Sequence, residues 1–132
     1  MKKLTPAQIH PPFARYSHGI EVPAGHRLVV ISGQLGISAE AHVPEDAGAQ
    51  ADLCFANIDA VLAEAGLGRD AIVRVNAYVT DRAWLADYMA ARDRYLGTVE
   101  PPPASTLMIV SGFATEAFKV EVEALAAAFS RA

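Results

Sequence analysis

Val73-Arg74-Val75-Asn76-Ala77-Tyr78-Val79-Thr80-Asp81 is the stretch that decides the fold. Val73, Val75, Ala77 and Val79 fall on one side of an extended chain, and Arg74, Asn76, Tyr78 and Thr80 on the other, so the segment is a half-buried strand of period two. Upstream, Leu53, Cys54, Phe55, Ile58, Val61, Leu62 and Ala65 recur at spacings of three and four until Gly66 and Gly68 stop the pattern, which predicts a helix. Downstream, Asp81 can cap a second helix whose stripe is Leu85, Tyr88, Met89, Tyr95 and Leu96, ending at Gly97. A one-sided strand between two one-sided helices points to a sheet with its helices layered on a single face.

Further out, Pro101-Pro102-Pro103 enforces extended backbone before a strand predicted over 105–110. Phe118, Val120, Val122 and Ala124 alternate with Lys119, Glu121, Glu123 and Leu125, a last strand that fades into Ala126-Ala127-Ala128. Toward the N-terminus, residues 15–22, the turn Pro23-Ala24-Gly25-His26 and the apolar run Leu28-Val29-Val30-Ile31-Ser32-Gly33 read as a β-hairpin with a buried second strand. The order β-β-α-β-α-β-β predicts an α+β domain over residues 1–132: one mixed sheet with two helices on one face. The uncovered face would carry Arg74, Asn76, Tyr78, Lys119, Glu121 and Glu123, polar groups that are either solvated or meet another subunit.

The chain of 132 residues is the size of one domain. Hydrophobic residues at 52% and charged residues at 20% exclude disorder and leave an apolar surplus that an oligomer interface would cover. Lys+Arg 11 against Asp+Glu 15 gives a net charge of -4 without a basic cluster, so no nucleic-acid partner is expected. No apolar run approaches the ~20 residues that span a bilayer, so no membrane partner is expected, and the single cysteine, Cys54, fits a reducing compartment, which makes the expected location cytoplasmic. His10, His18, His26 and His42 sit singly, without ligand spacing, so neither a metal nor any other cofactor is expected.

Chemistry then has to come from small constellations. Ser32-Gly33-Gln34 ends an apolar strand, where the glycine either lets a ligand approach the backbone or only marks a bulge. Glu121 and Glu123 share a strand face, where one carboxylate could hold and activate a water, or both could simply be solvated beside Lys119. Tyr16 and His18 flank Ser17 and could bring a phenol and an imidazole to a pocket. Cys54 lies in the helix stripe and reads as core.

Taken together, Tyr16-Ser17-His18, Ile31-Ser32-Gly33-Gln34, Gln50 with Asn57-Ile58 and Val61-Leu62, Val73-Arg74-Val75 with Tyr78-Val79-Thr80-Asp81, Pro103-Ala104-Ser105-Thr106-Leu107 and Val120-Glu121-Val122-Glu123-Ala124 run in the order of the Rid family. The chain resembles these YjgF-type reactive-intermediate deaminases, also known by the label L-PSP endoribonuclease, over nearly its whole length. The resemblance implies a chorismate-mutase-like subunit in a homotrimer whose sheets form a central barrel, with a small-molecule cleft between each pair of neighbouring subunits. It further implies hydrolysis of reactive enamine and imine acids to 2-keto acids and ammonia, with a glutamate on the last strand positioning water and an arginine gripping the substrate carboxylate. By the motif, Glu121 is the catalytic glutamate, Tyr16 the cleft tyrosine, and Ser32 and Gly33 the substrate-binding rim. His18 and Met89 are further cleft candidates.

One position departs from the family. Where deaminating members carry the arginine, this chain reads Pro103-Ala104-Ser105-Thr106, and the Ser105 hydroxyl supplies neither a charge nor two parallel donors. The expectation is therefore a Rid protein of a branch without that arginine: an imine deaminase with an altered substrate that Ser105 accommodates, or a trimer that binds a small metabolite without chemistry. Arg74, Arg92 and Lys119 do not occupy the arginine's position and read as ordinary solvated or interface charges.

Overall fold

A computed structural model describes residues 1–129. In chain order the elements are β1 (Lys2–Leu4), β2 (Gly19–Glu21), β3 (His26–Leu35), α1 (Ala47–Glu64), β4 (Ile72–Val79), α2 (Leu85–Leu96), β5 (Ala104–Ile109) and β6 (Val120–Phe129). The four long strands form one sheet in the order β3-β6-β4-β5; the β3–β6 and β6–β4 pairs are antiparallel and β4–β5 is parallel. The alternation in β4 does what it predicts: Val75, Ala77 and Val79 are sealed beneath the helices, while Arg74, Asn76 and Tyr78 stay half-buried on the open face. In β6, Val120, Val122, Ala124 and Ala126 face the helices, and Glu121, Glu123 and Leu125 face the other way. Rather than fading at its alanines, β6 continues to Phe129, because small side chains let it lie flat between β3 and β4.

The predicted N-terminal hairpin is not formed. β2 pairs with β1 in a separate two-stranded sheet, a strand the hydropathy pattern did not reveal, and β3 pairs only with β6. Nor is β3 buried: Ile31 faces the core, but Leu28 and Val30 are 61% and 70% exposed on the open face of the sheet. A continuous apolar run reads the same whether helices or another chain cover its second side.

Helix α1 begins well before its apolar stripe, at the Asp46 cap, whose carboxylate accepts from the Ala49 N–H. Asp81 caps a short 3₁₀ turn that leads into α2. On α1, Gln50 is fully buried and holds two connecting segments: its side-chain amide donates to the carbonyls of Pro44 and Ala117 at 2.7 and 2.8 Å, and its oxygen accepts from the Lys119 N–H at 2.8 Å. The β3–α1 connection passes so close that a Cβ on Gly36 would stand 2.7 Å from the Gln50 Cα. Phe55 of α1 stacks on Tyr88 and Tyr95 of α2, with ring centroids 6.1 and 4.5 Å apart, which ties the two helices into one layer.

Cys54 is sealed in this layer, as its place in the stripe predicts. Burial, with a smaller contribution from the Glu121 charge, pushes its thiol up from 9.0 to about 12. The folded protein therefore holds this proton through a range in which the unfolded chain has lost it, and stability falls as pH rises from about 9 to 12. Urea melts at pH 8–11 should show a Cys54→Ala variant losing stability with pH less steeply than the parent, by a difference that grows from near zero at pH 8 toward about 1.4 kcal/mol per pH unit above pH 9. Parallel slopes would show that the thiol does not set the alkaline limit.

Candidate active site

Between Ile31↔Ala124 and Gln34↔Val122, β3 has two residues, Ser32 and Gly33, against the single Glu123 of β6. This bulge turns both onto the surface beside the two carboxylates. Gly33 lies in a bulge, as one of its two sequence readings has it, and the room left by its missing side chain is taken by Glu121. A Cβ there would stand 2.7 Å from the Glu121 carboxyl carbon and 2.9 Å from Oε1, so the carboxylate lies directly over the Gly33 backbone. Gly33 does not adopt a positive φ, so it is the close approach of Glu121, and not the backbone conformation, that favours glycine here.

The second carboxylate is committed elsewhere. The Tyr78 hydroxyl donates to Glu123 Oε1, and this hydrogen bond, followed by burial and the charges of Glu123 and Glu121, raises the phenol above its ordinary value. Arg74, on the same face, donates to Asn76 Oδ1 and Thr106 Oγ1, each at 2.9 Å, and so spans β4 and β5. Of the two glutamates, Glu121 is the one without a hydrogen-bonded side-chain partner among the described residues, which suits it to hold a water.

Tyr16, Ser17 and His18 lie at the other edge of the sheet. Ser17 is buried and forms a parallel bridge to Ala104, its N–H donating to the Pro103 carbonyl at 3.1 Å and its hydroxyl to the Pro102 carbonyl at 2.5 Å. Tyr16 and His18 therefore flank the start of β5 next to Ser105, their rings edge to face at 6.1 Å. The Tyr16 hydroxyl accepts from the Phe13 N–H at 3.3 Å, and His18 Nε2 lies 2.7 Å from the His10 carbonyl.

The sequence-nominated residues thus fall into two groups, Glu121 with Ser32 and Gly33, and Ser105 with Tyr16 and His18. Glu121 pairs with Tyr78 and Tyr78 with Met108, three residues beyond Ser105, so Glu121 and Ser105 are separated by about 14 Å of backbone. Ser105 also faces the helices, because it is in register with the fully buried Val75. The single chain does not bring the two groups together. Met89 joins neither and packs half-buried against the core.

The expectation that all three cations are ordinary solvated or interface charges fails at Arg92, which is 3% exposed in α2. Its place between Tyr88 and Leu96 in the stripe was the available signal. Lys119 lies over the Trp84 ring at 4.7 Å and donates to the Glu45 carbonyl, away from both groups. A shallow cavity of about 230 Å³ between α1 and α2 carries two ion pairs that neutralise each other's surroundings, Asp59–Arg69 at 2.7 Å and Asp52–Arg94 at 3.0 Å. No helix among the described residues is long and apolar enough to cross a membrane.

Replacing Gly33 with alanine should separate geometry from stability. The clash falls on the flexible end of Glu121, so the carboxylate swings away; any activity that depends on Glu121 should fall about tenfold or more, while the thermal midpoint stays within a few degrees of the parent. Unchanged activity in Gly33→Ala would mean that this seat does not position Glu121.

Fold and site define a two-layer α+β protein with a glutamate seated over a bulge on the open face of its sheet. The chain belongs to the Rid/YjgF/L-PSP family, matching the family described as endoribonuclease L-PSP over residues 7–128. It is similar to a RutC family protein of Aquifex aeolicus, with 32% identity covering 96% of this chain and 98% of that one. Among solved structures, it is similar to the Rid-family protein YyfB of Yersinia pestis, with a TM-score of 0.83 and 29% identity over 95% of this chain and 96% of that one. RidA from an Antarctic Psychrobacter bacterium is similar at a TM-score of 0.69, with 28% identity over 96% and 98% of the two chains. The α+β subunit expected from the sequence, a mixed sheet with two helices, is the fold observed.

Proposed function

We propose that the chain acts in the cytoplasm as a homotrimer that hydrolyses a reactive enamine or imine to a carbonyl compound and ammonia in clefts between subunits. The observation that carries this reading is the seat of Glu121 over Gly33, with Glu123 held by Tyr78. In the reaction, an enamine first takes a proton at carbon to become the imine. Glu121 then accepts a proton from water as the oxygen attacks the C=N carbon and passes it to nitrogen to give a carbinolamine. Finally, it carries the hydroxyl proton of the carbinolamine to nitrogen as the C=O forms, the C–N bond breaks and ammonia leaves. Ser32 and the Gly33 backbone line this half of the cleft, and Tyr16, His18 and Ser105 of a neighbouring subunit line the other. The split of the site into two groups about 14 Å apart supports an assembly that completes it. The exposed Leu28 and Val30 supply apolar surface for such an interface.

A specific observation favours a second reading: Ser105 leaves β5 without a charge, and a trimer that binds a metabolite without turning it over needs no strong grip on an imine. The net charge of -4 offers nothing to steer an RNA substrate. The test is ammonia release from a panel of imines generated in situ by an amino-acid oxidase, with Ser105→Arg measured in parallel and the mass in solution determined by light scattering. Turnover by a species three times the chain mass supports the hydrolase. A monomer, or a trimer inactive in both forms that still binds a ligand, overturns it, the latter in favour of the binding protein.

A further inference from the structure

Asp52, Ala56 and Asp59 lie at spacings of four and three on one stripe of α1, so two carboxylates stand about 10 Å apart along the helix with only a methyl group between them. Ala91 faces the same gap from α2, and the stacked rings of Phe55 and Tyr95, 4.5 Å between centroids, close its floor. The result is the cavity of about 230 Å³ between the helices, larger than a few waters need and smaller than a drug-sized pocket. Each end carries one ion pair, so the cavity holds two charges of each sign and is neutral as a whole. It lies on the helix side of the sheet, whereas Glu121 faces the other side.

The two ends are built differently. At one, Asp59 accepts from the Tyr95 hydroxyl at 2.5 Å and from Arg69 Nη2 at 2.7 Å, while Arg69 Nη1 donates to the Tyr95 carbonyl at 3.0 Å and its guanidinium lies 4.2 Å from the Tyr95 ring centre. Every group there is committed, and this end is a fixed wall. At the other end, Arg94 reaches both oxygens of Asp52, at 3.0 and 3.2 Å, with Nη2 alone. Its Nη1 has no acceptor among the described residues, and the Arg94 and Asp52 side chains are 60% and 55% exposed. Such a pair contributes little to stability, so it opens at small cost. Nη1 and Nη2 form one edge of the guanidinium, which matches the two oxygens of a carboxylate. A carboxylate that takes this edge displaces Asp52, which is then able to accept from an ammonium.

We propose that this groove binds a free α-amino acid with an apolar side chain, as a zwitterion inserted into the Asp52–Arg94 pair. The ligand carboxylate takes the Nη1–Nη2 edge of Arg94, its ammonium donates to Asp52, and its side chain lies over Phe55 and Tyr95 between Ala56 and Ala91. A zwitterion makes this exchange because each charge of the opened pair regains a partner and the groove stays neutral. An anion alone would leave Asp52 to water, and a cation alone would leave Arg94 to water, so either gains one contact where the zwitterion gains two. The site is separate from Glu121 and needs no imine turnover.

The experiment titrates L-leucine, L-leucinamide and 4-methylpentanoate into the parent protein, Asp52→Asn and Arg94→Gln, following the backbone amide signals of Ala56 and Ala91 and the Arg94 Nε–H by NMR. L-Leucine should shift these signals saturably with an affinity on the order of millimolar. Leucinamide lacks the carboxylate and 4-methylpentanoate the ammonium, so each should bind the parent about tenfold more weakly or worse, and L-leucine should lose as much in each variant. Both substitutions are at exposed positions, and thermal midpoints within a few degrees of the parent should show that the variants fold. If either does not fold, the comparison of the three ligands on the parent decides. Shifts that stay linear in L-leucine, an analogue lacking one charge that binds as tightly, or a folded variant that binds L-leucine as the parent does overturns the proposal. Shifts at Ser32 and Gly33 instead of Ala56 and Ala91 would place the ligand beside Glu121 and overturn it as well.

Discussion

Replacing Glu121 with glutamine is expected to lower kcat for imine hydrolysis by about 10²–10⁴-fold and to leave folding and ligand affinity nearly unchanged. Glutamine keeps the length of the side chain and fits the space over Gly33, so the substitution removes basicity and little else. The amide can orient a water but cannot take its proton. The loss should therefore appear in kcat, with KM altered by no more than a few-fold. The neighbouring glutamate offers a control. Glu123 is tied to Tyr78 on the same face, so Glu123→Gln should retain most of the turnover, because it does not supply the base. Steady-state ammonia release from the two variants checks both statements. An active Glu121→Gln would take Glu121 out of the chemistry, and equal losses in both variants would mean that the carboxylates act as a pair.

The largest effect on stability is expected at Gln50. Leucine there fills the volume but takes the hydrogen-bond partner from the part-buried carbonyls of Pro44 and Ala117 and the N–H of Lys119, at a cost of up to about 1–3 kcal/mol for each group left unpaired. Water can reach some of these groups as the connections loosen, so about 3–6 kcal/mol in all is the expected destabilisation, a large part of what holds a domain of this size together. Thermal and urea melts of Gln50→Leu check it. A fall in midpoint on the order of 10 °C or more is expected, and a shift under a few degrees would show that the two connections hold without the Gln50 clamp. Because those connections lead into α1 and β6, the loss should also loosen the β6 end that carries Glu121.

The elements with a strong periodic signature were legible in the sequence. The period-two run of β4 and the three-and-four stripe of α1 each have one sealed side, and a side chain on that side has to be apolar wherever the chain is read. The first turns of α1 were not legible by hydropathy because Ala47, Gly48, Ala49 and Ala51 are small and bury without contrast; the Asp46 cap was the signal available there. The N-terminal hairpin misled for a different reason. Leu28 and Val30 are apolar without being covered in the subunit, and β2 finds its partner in β1, a strand of Lys2, Lys3 and Leu4 with no hydropathic signature.

The candidate site was legible residue by residue but not as an arrangement. Gly33 and Glu121 are 88 positions apart in number, and only the bulge in β3 places one beneath the other. The separation of Ser105 from Glu121 follows from strand order and facing, which no local pattern encodes. Arg92 was passed over because a charge is normally subtracted from a helix stripe rather than read as part of it.

The exposed edge of β3 bears on how the protein behaves when it is dilute. Leu28-Val29-Val30-Ile31 is an uncharged, β-prone tetrapeptide whose far backbone edge has no partner among the described residues, the kind of strand that recruits other strands indiscriminately. In the proposed trimer, a neighbouring subunit that covered it would double as protection against cross-β aggregation. If that trimer forms, solubility should be poorest during synthesis and refolding, when chains are single, and Val30→Lys should keep such chains soluble while preventing the proposed assembly.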